Sequence, residues 1–442
     1  MRLSRFLPLP AAHRRLAALV ALGIGAVLLI LTAFGLARGD DAVAQPIDAP
    51  SDPLSRSIAA AQKRLLDNPG DAVTLAALGS AYVERARVTA DPSYYQRAQA
   101  ALDRSMAVQP GGNAGALIGL GSLANARHDF AAARDLAQRA RDLQPATAAG
   151  YGVLADALTQ LGDAPGASAA IQRMLDLRPG IASFTRASYD FELHGRVDDA
   201  RYALEQALAD STGPETIAFC RYYLGELAFN AGDLDAAAAQ YERGLVAAPK
   251  DVALRQGRAK VAVARGDLDQ ALLDYAKVTN RVPLPQYVQE YGELLESAGR
   301  IDAAKRQYTL FTQQQRLYES AGSVDDLAVA QFAADHGDPA EALRRAEAEW
   351  QRRQSVLVAD AMAWALHVNG RDAEALTFAD RAGALGGRNA TVAYHRGMIL
   401  ASLGRRTQAQ QQLAGALAIN PYFSVLQAPR ARAALAGLTG AE

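Results

Sequence analysis

The six histidines are the side chains best suited to acid–base or metal chemistry, and their spacing argues against both. They are His13, His128, His194, His336, His367 and His395. No two stand four residues apart and no His-Glu-x-x-His motif occurs, so the pattern of a zinc hydrolase is missing. His128, His194 and His336 fall at predicted turns between helices, where we expect solvated side chains.

Nucleophile and nucleotide motifs are missing as well. The sequence contains no Gly-x-Ser-x-Gly and no phosphate-binding loop of the Walker type. Residues 119–124 (GLGSLA) are superficially similar to a dinucleotide-binding fingerprint, but they lie inside a predicted helix with no strand before it. Carboxylates are scattered at helix starts, where capping accounts for them. The sequence therefore predicts a protein that is not an enzyme and that holds no cofactor and no metal.

The most regular feature of the chain is a glycine followed five residues later by an alanine. The glycines are Gly162, Gly195, Gly232, Gly266, Gly299, Gly337, Gly370 and Gly404, and the alanines are Ala167, Ala200, Ala237, Ala271, Ala304, Ala342, Ala375 and Ala409. Successive glycines are separated by 33, 37, 34, 33, 38, 33 and 34 residues. A period of this length is the signature of a stacked repeat array.

The sequence around Gly232 shows what this pair does. Gly232 suits the left-handed backbone conformation that ends a helix. Asp233 directly follows and can cap the next helix. Ala237 then lies one turn into that helix, where a larger side chain would push two helices apart. The pair thus predicts a helix stop, a helix start and a close contact between the two helices.

Further residues make the pattern specific. Leu-Gly with a tyrosine or alanine precedes the pair, and a proline commonly follows its alanine by twelve residues, as Pro249 follows Ala237. Over 34 residues, this order resembles the tetratricopeptide repeat, and residues 219–249 fit it almost throughout. The resemblance covers roughly residues 70–421. It implies an all-α, right-handed superhelical solenoid of about ten helix–turn–helix repeats with terminal capping helices. We expect these capping helices at residues 53–69 and 422–442.

Several copies depart from the pattern. The first carries an insertion at Ala86–Ser93, the second has His128 in place of the glycine, and the ninth has Gly386-Gly387 in place of the proline. Extra residues at Asp210–Glu215 and Gln313–Ser323 are predicted to lengthen the turns between repeats.

The resemblance also implies a binding surface. Ligands of this repeat family usually lie along the concave face that the first helix of each repeat forms. Carried over to this sequence, that face contributes the predicted peptide-binding residues Tyr189, Glu192, Phe219, Tyr222, Glu226, Phe229, Asn230, Lys260, Glu293, Trp364 and Tyr394. Aromatic side chains among carboxylates suit an extended peptide with apolar and basic side chains. The alternative is that these rings pack only against neighbouring helices.

The N-terminus predicts export or membrane attachment. Residues 1–15 carry four arginines, and residues 16–37 contain no charged side chain, which is long enough for a helix to span a bilayer. The arginine excess places residues 1–15 in the cytoplasm and the repeats outside it. Ala42-Val43-Ala44 resembles a signal-peptidase site, so both an uncleaved anchor and a signal cut after Ala44 remain open. Residues 38–52 form a predicted linker.

Composition restricts the remaining choices. The net charge is −1, and the arginine-rich N-terminus leaves the repeats more acidic still, which argues against a nucleic-acid partner. The single cysteine, Cys220, excludes an intramolecular disulfide and is expected to be a small buried apolar residue. Two functions remain: a scaffold in the bacterial envelope that binds a protein or peptide, or an envelope assembly chaperone that holds unfolded or immature clients. The sequence does not give the oligomeric state.

Overall fold

A computed structural model describes residues 52–89 and 91–439, and within them the chain forms 22 α-helices and no strand. The helices are α1 Pro53–Asp67, α2 Ala72–Thr89, α3 Ser93–Val108, α4 Ala114–Ala126, α5 Phe130–Leu143, α6 Ala148–Leu161, α7 Ala164–Leu177, α8 Ile181–Leu193, α9 Val197–Ala209, α10 Pro214–Asn230, α11 Leu234–Ala247, α12 Val252–Ala264, α13 Leu268–Arg281, α14 Pro285–Ser297, α15 Ile301–Ser320, α16 Asp326–Asp335, α17 Pro339–Arg352, α18 Val356–Val368, α19 Asp372–Ala382, α20 Ala390–Ser402, α21 Arg406–Ile419 and α22 Gln427–Thr439.

The described helices pack as ten successive pairs between two single helices. Each even-numbered helix from α2 to α20 packs on the odd-numbered helix that follows it, and successive pairs pack on one another. Between α15 and α16 the contact includes the stacked rings of Phe311 and Phe332. We call the two members of a pair the first and second helix of a repeat. The helix α1 packs on α2 at one end, and α22 packs on α20 and α21 at the other. The predicted all-α repeat solenoid is therefore confirmed.

The glycine–alanine pair has the predicted geometry. All eight glycines are left-handed, with φ between 69° and 90°, and all eight alanines are at most 1% exposed. The aspartate cap is present in half of the copies. Asp163, Asp233, Asp267 and Asp338 each accept a backbone N–H at the start of a second helix. In the other four copies an arginine occupies this position and makes no capping bond.

The extra residues between repeats are helical, which differs from the prediction of longer turns. Gln313–Ser320 continue α15, which is 20 residues long. Pro214 and Glu215 open α10, which is 17 residues long and leaves only residues 210–213 as a connection. Residues 313–316 are polar, and this favoured a turn in the sequence. They instead continue a helix whose apolar side buries Phe311 and Tyr318.

The solenoid winds far enough for one superhelical turn to contact the next. Asn420 donates a hydrogen bond of 2.9 Å to the Phe229 carbonyl oxygen across 191 residues. Arg353 likewise hydrogen-bonds Gln160 across 193 residues. Because a repeat spans about 34 residues, one superhelical turn takes between five and six repeats.

We call this contact between turns the seam. On one side lie the turns within repeats around His128, Gly162, Gly195 and Gly232. On the other lie the loops between later repeats, at residues 323–325, 353–355, 386–388 and 419–421. A Cβ added to Gly162 would come 2.5 Å from the Gln354 carbonyl oxygen. A Cβ added to Gly266, Gly299, Gly337, Gly370 or Gly404 would meet nothing within 4 Å. Of the eight repeated glycines, only Gly162, Gly195 and Gly232 therefore lie at the seam.

No helix within residues 52–89 and 91–439 is long and apolar enough to cross a membrane. The predicted cytoplasmic segment 1–15, the predicted span 16–37 and the linker up to residue 51 lie outside the described residues.

Candidate functional site

The first helices of the repeats carry a surface that we call the interior face. Neighbouring first helices pack directly on one another in several places, for example α2 on α4, α4 on α6 and α18 on α20. This packing places them on the inner side of the curve. The predicted binding residues all lie on first helices, in α8, α10, α12, α14, α18 and α20.

One group of these residues is occupied in bonds between repeats. The Glu226 carboxylate accepts hydrogen bonds from Lys260 Nζ and from the Tyr241 hydroxyl, each at 2.6 Å. The Lys260 ammonium also lies 4.6 Å from the centre of the Phe229 ring. Tyr241 belongs to the second helix α11. It passes close to Gly225 and Gly257, where a Cβ would come within 2.4 Å of its ring. These contacts fix α10 against α12.

Further polar bonds continue from α10 through α12 to α14. The Tyr222 hydroxyl donates to Gln256 Oε1 at 3.3 Å, and Gln256 Nε2 donates to Glu290 at 2.6 Å. The Tyr275 hydroxyl donates to the same Glu290 carboxylate at 3.1 Å. Burial raises the pKa of Glu290, and the charge of Glu226 adds to the rise. A line of polar bonds thus follows the interior face through three first helices.

Three of the predicted aromatic residues are buried. Phe229 and Trp364 are each 6% exposed and Tyr394 is 1% exposed. The Trp364 ring stacks on His395 with 4.2 Å between centroids, and its Nε1 donates to Asp335 at 2.8 Å. These rings pack between repeats.

Part of the interior face lies between α8 and α10. Here Tyr189, Glu192, Phe219 and Tyr223 are half-buried, and we call them the open cluster. Within the described residues the hydroxyls of Tyr189 and Tyr223 have no hydrogen-bond partner. The Phe219 ring packs against Tyr223 at a tilt of 59°, with 4.7 Å between ring centroids. The side chains that a ligand could contact without breaking existing bonds are concentrated in this cluster.

Glu192 gives the open cluster its charge. Its carboxylate accepts a long hydrogen bond of 3.3 Å from the exposed Asn230. Burial raises its pKa, and the neighbouring charge of Glu226 raises it further. Burial also raises the pKa of Tyr223 to about 12. A carboxylate that is desolvated and lies near a second carboxylate is stabilised by any cation placed beside it.

Arg87 approaches the open cluster from the first repeat. It belongs to α2, 136 positions before Tyr223, and its charge counteracts the rise in the Tyr223 pKa. Arg87 also hydrogen-bonds Glu84, with its Nε 2.8 Å from the carboxylate. The sequence analysis did not select Arg87 or Tyr223. The sequence feature that could have indicated Arg87 is the insertion after Ala86, because the inserted residues extend α2 toward the interior.

The histidines at the turns differ from their prediction as solvated residues. The His336 side chain is 9% exposed and lies 3.5 Å from Glu293 and 3.7 Å from Glu296. His128 is half-buried at the seam, in a left-handed conformation with φ 63°, and burial lowers its pKa. Both differ because elements distant in sequence cover these turns. His194 is 32% exposed.

The described residues hold no group of three or more His, Cys, Asp or Glu side chains that could bind a metal ion. Cys220 is fully buried, as predicted, and burial raises the pKa of its thiol. A buried thiol of raised pKa is a poor nucleophile.

Comparisons with known proteins find likeness at the level of structure. No protein-family model matches the sequence, and no curated protein matches it. A solved thermophilic TPR protein from Thermus thermophilus is similar at 25% identity, over 39% of this chain and 92% of that one, with a TM-score of 0.36. A tetratricopeptide repeat protein from Parabacteroides merdae is similar at 18% identity, over 59% and 98%, with a TM-score of 0.35.

Human IFIT1, solved as a dimer with PPP-AAAA, is similar at 12% identity, over 82% of this chain and 86% of that one, with a TM-score of 0.46. At these TM-scores, the assignment of an all-α repeat solenoid rests on the helix pairs and turns described above. Those pairs have the arrangement that the resemblance to the tetratricopeptide repeat predicts.

Proposed function

We propose that the protein is a non-catalytic scaffold that binds an extended polypeptide segment along its interior face. The observation that carries the proposal is the open cluster. Its half-buried tyrosines and its desolvated carboxylate lie beside a line of satisfied polar bonds. Tyrosines without hydrogen-bond partners provide rigid apolar contact area and free hydroxyls at the same place. Peptide recognition commonly uses such anchors.

The charge of the surface favours a ligand with basic as well as apolar side chains. Glu192, Glu226 and Glu290 interact with one another through their charges, and Lys260 is the cation bonded within this group. An arginine or lysine of the ligand would relieve the remaining repulsion, while apolar side chains would cover Phe219 and Tyr223. The same negative charge disfavours a phosphate backbone, so we do not expect nucleic acid as the main partner.

The proposed location is the bacterial cell envelope, with the repeats on the extracytoplasmic side. Support comes from the arginines before residue 16 and the uncharged stretch 16–37. Attachment through an uncleaved helix and release after Ala44 predict different mature N-termini. N-terminal sequencing of the protein from fractionated cells distinguishes them, and recovery of the whole protein from the cytoplasm would contradict the location.

A pull-down from envelope membranes after crosslinking tests the scaffold role. The wild-type protein is compared with a variant in which Tyr189 and Tyr223 are both alanine, and with a Tyr202→Ala control. Tyr202 lies on α9 and is 43% exposed. A scaffold captures one partner stably, and the interior variant loses that partner while the control keeps it. Weak capture of many unfolded clients would favour the chaperone alternative. Equal capture by all three proteins would place binding elsewhere.

A further inference from the structure

We infer that the two superhelical turns separate along the seam, and that this opening admits the bound polypeptide to the interior face. The inference rests on the proposed function for its ligand, while the opening itself is a property of the seam. Its basis is the way in which the turns are joined, how they are packed, and what lies at the two ends of the interior.

Several of the contacts that join the turns are polar or involve backbone atoms. Asn420 bonds the backbone of Phe229, and Arg353 bonds the side chain of Gln160. At Gly195, an added Cβ would come 2.4 Å from the Gly386 carbonyl oxygen. Contacts of this kind fit two backbones closely.

The apolar cores do not cross the seam. The five clusters of buried apolar residues in the described chain span residues 58–123, 137–227, 218–261, 259–304 and 330–431. Each draws on a run of neighbouring repeats, and none joins a repeat to one a full turn away. Apolar burial is the main favourable term in association. Separating the turns therefore leaves the apolar cores of the repeats intact.

The seam is also incompletely packed. A cleft of about 640 Å³ lies between α5–α7 and residues 351–354. A second cleft of about 400 Å³ lies between Asp190 and His194 on one turn and Trp350 and Arg381 on the other. Both clefts are open to the surface, so water already reaches these parts of the seam.

Charged groups are confined within the seam. Arg353 is 5% exposed and Glu349 is 1% exposed, and the two are hydrogen-bonded to each other. The Arg353 guanidinium lies 4.8 Å from the centre of the Phe130 ring on the other turn. The Nδ1 atom of His128 is buried without a hydrogen-bond partner. Opening returns these groups to water, and their hydration offsets part of the cost of breaking the bonds between the turns.

Near both ends of the interior face, a side chain interacts with a repeat that is not its immediate neighbour. Gln427, at the start of α22, reaches across to Asp335, with its Nε2 2.9 and 3.0 Å from the two carboxylate oxygens. The charge of Arg87 of α2 acts on Tyr223 of α10, lowering the pKa that burial raises. Separation at the seam would expose the interior face along its length.

A crosslink across the seam tests the inference. In a Cys220→Ala background, Gln138→Cys and Gln351→Cys place one thiol on each side of the larger cleft, and a short bismaleimide joins them. The matched control joins Gln138→Cys to Gln172→Cys within a single turn. The probe is a fluorescein-labelled peptide of alternating leucine and arginine, interrupted by proline. We expect the seam crosslink to slow association by roughly tenfold or more relative to the control.

Equal association rates in the two crosslinked proteins would overturn the inference. If the probe binds neither the control nor the unlinked protein, the proposed function fails, and the distance between spin labels at residues 138 and 351 then decides the question of opening. A second, longer distance population in the unlinked protein supports a seam that opens. A single short distance under all conditions contradicts it.

Discussion

The side-chain amide of Asn420 donates a hydrogen bond of 2.9 Å to the backbone carbonyl of Phe229, 191 residues earlier. The bond occupies the last turn of a first helix, where carbonyl groups lack partners within the helix. It also shows that the end of the tenth repeat lies against the fifth. A repeat array usually contacts only its immediate neighbours, and this one adds a second set of contacts about 190 residues apart.

Two glycines with nearly the same φ allow the effect of the seam contact on local stability to be separated from the effect of backbone strain. Gly162 has φ 87° and Gly337 has φ 90°. Alanine at either position adds about 1–2 kcal/mol of left-handed strain. At Gly162, the new Cβ would also lie 2.5 Å from the Gln354 carbonyl oxygen, whereas at Gly337 it meets nothing. We expect Gly162→Ala to increase hydrogen exchange at residues 353–355, and Gly337→Ala to leave it unchanged. Equal exchange in both variants would contradict the seam contact.

The repeated alanine marks a close contact between two helices. Ala237 is fully buried, so Ala237→Trp should lower the free energy of unfolding by roughly 1–3 kcal/mol through overpacking. Ala131→Trp, on the exposed side of α5, serves as the control for helix propensity and surface aromatic effects. Urea unfolding measures both. A wild-type midpoint for Ala237→Trp would disprove the contact.

A buried ion pair joins two neighbouring first helices. Arg186 of α8 binds Asp156 of α6 through two hydrogen bonds of 2.8 and 2.7 Å, and both side chains are 6% exposed. Asp156→Ala leaves the guanidinium buried without this partner and should cost about 3–5 kcal/mol. Arg186→Ala should cost a similar amount, and the double variant should be less destabilised than the sum of the two. Strict additivity in calorimetry would show that the two side chains act independently.

Acid should loosen the seam through His128. Burial lowers the pKa of His128 below its ordinary value of 6.5, and Arg353 lowers it further, while Asp325 and Glu349 act in the opposite direction. The unfolded state therefore binds the proton first. The stability that the neutral ring contributes is present above pH 6.5 and is lost as pH falls toward the lower folded-state pKa.

We expect hydrogen exchange at residues 323–325 to rise over this pH range in the wild type. His128→Asn keeps a residue that tolerates the left-handed conformation, and it should remove the pH dependence. His367→Gln on the interior face should retain it. A wild-type pH profile in the His128→Asn variant would assign the effect to another group.

The sequence predicted what each repeat does locally. The glycine–alanine spacing indicated helix ends and close contacts, and Ala167 and Ala409 are buried as that spacing requires. The spacing could not show that an added Cβ is blocked at Gly162 and accommodated at Gly337, because the obstacle at Gly162 is Gln354 of a distant repeat. The same limit applies to the interior face. The resemblance placed Tyr222 and Phe229 on the concave face, but the degree of burial of each ring depends on the tilt between neighbouring helices.

Fluorescence anisotropy with the leucine–arginine peptide tests the central claim most directly. We compare the wild type with Tyr189→Ala, Tyr223→Ala and Glu192→Gln, and use Tyr202→Ala as the outer-face control. Each interior variant should raise the Kd by roughly tenfold, as expected for a binding anchor, while Tyr202→Ala keeps the wild-type value. A matching leucine–glutamate peptide should bind more weakly than the leucine–arginine peptide. Wild-type affinity in all three interior variants would contradict recognition at the open cluster.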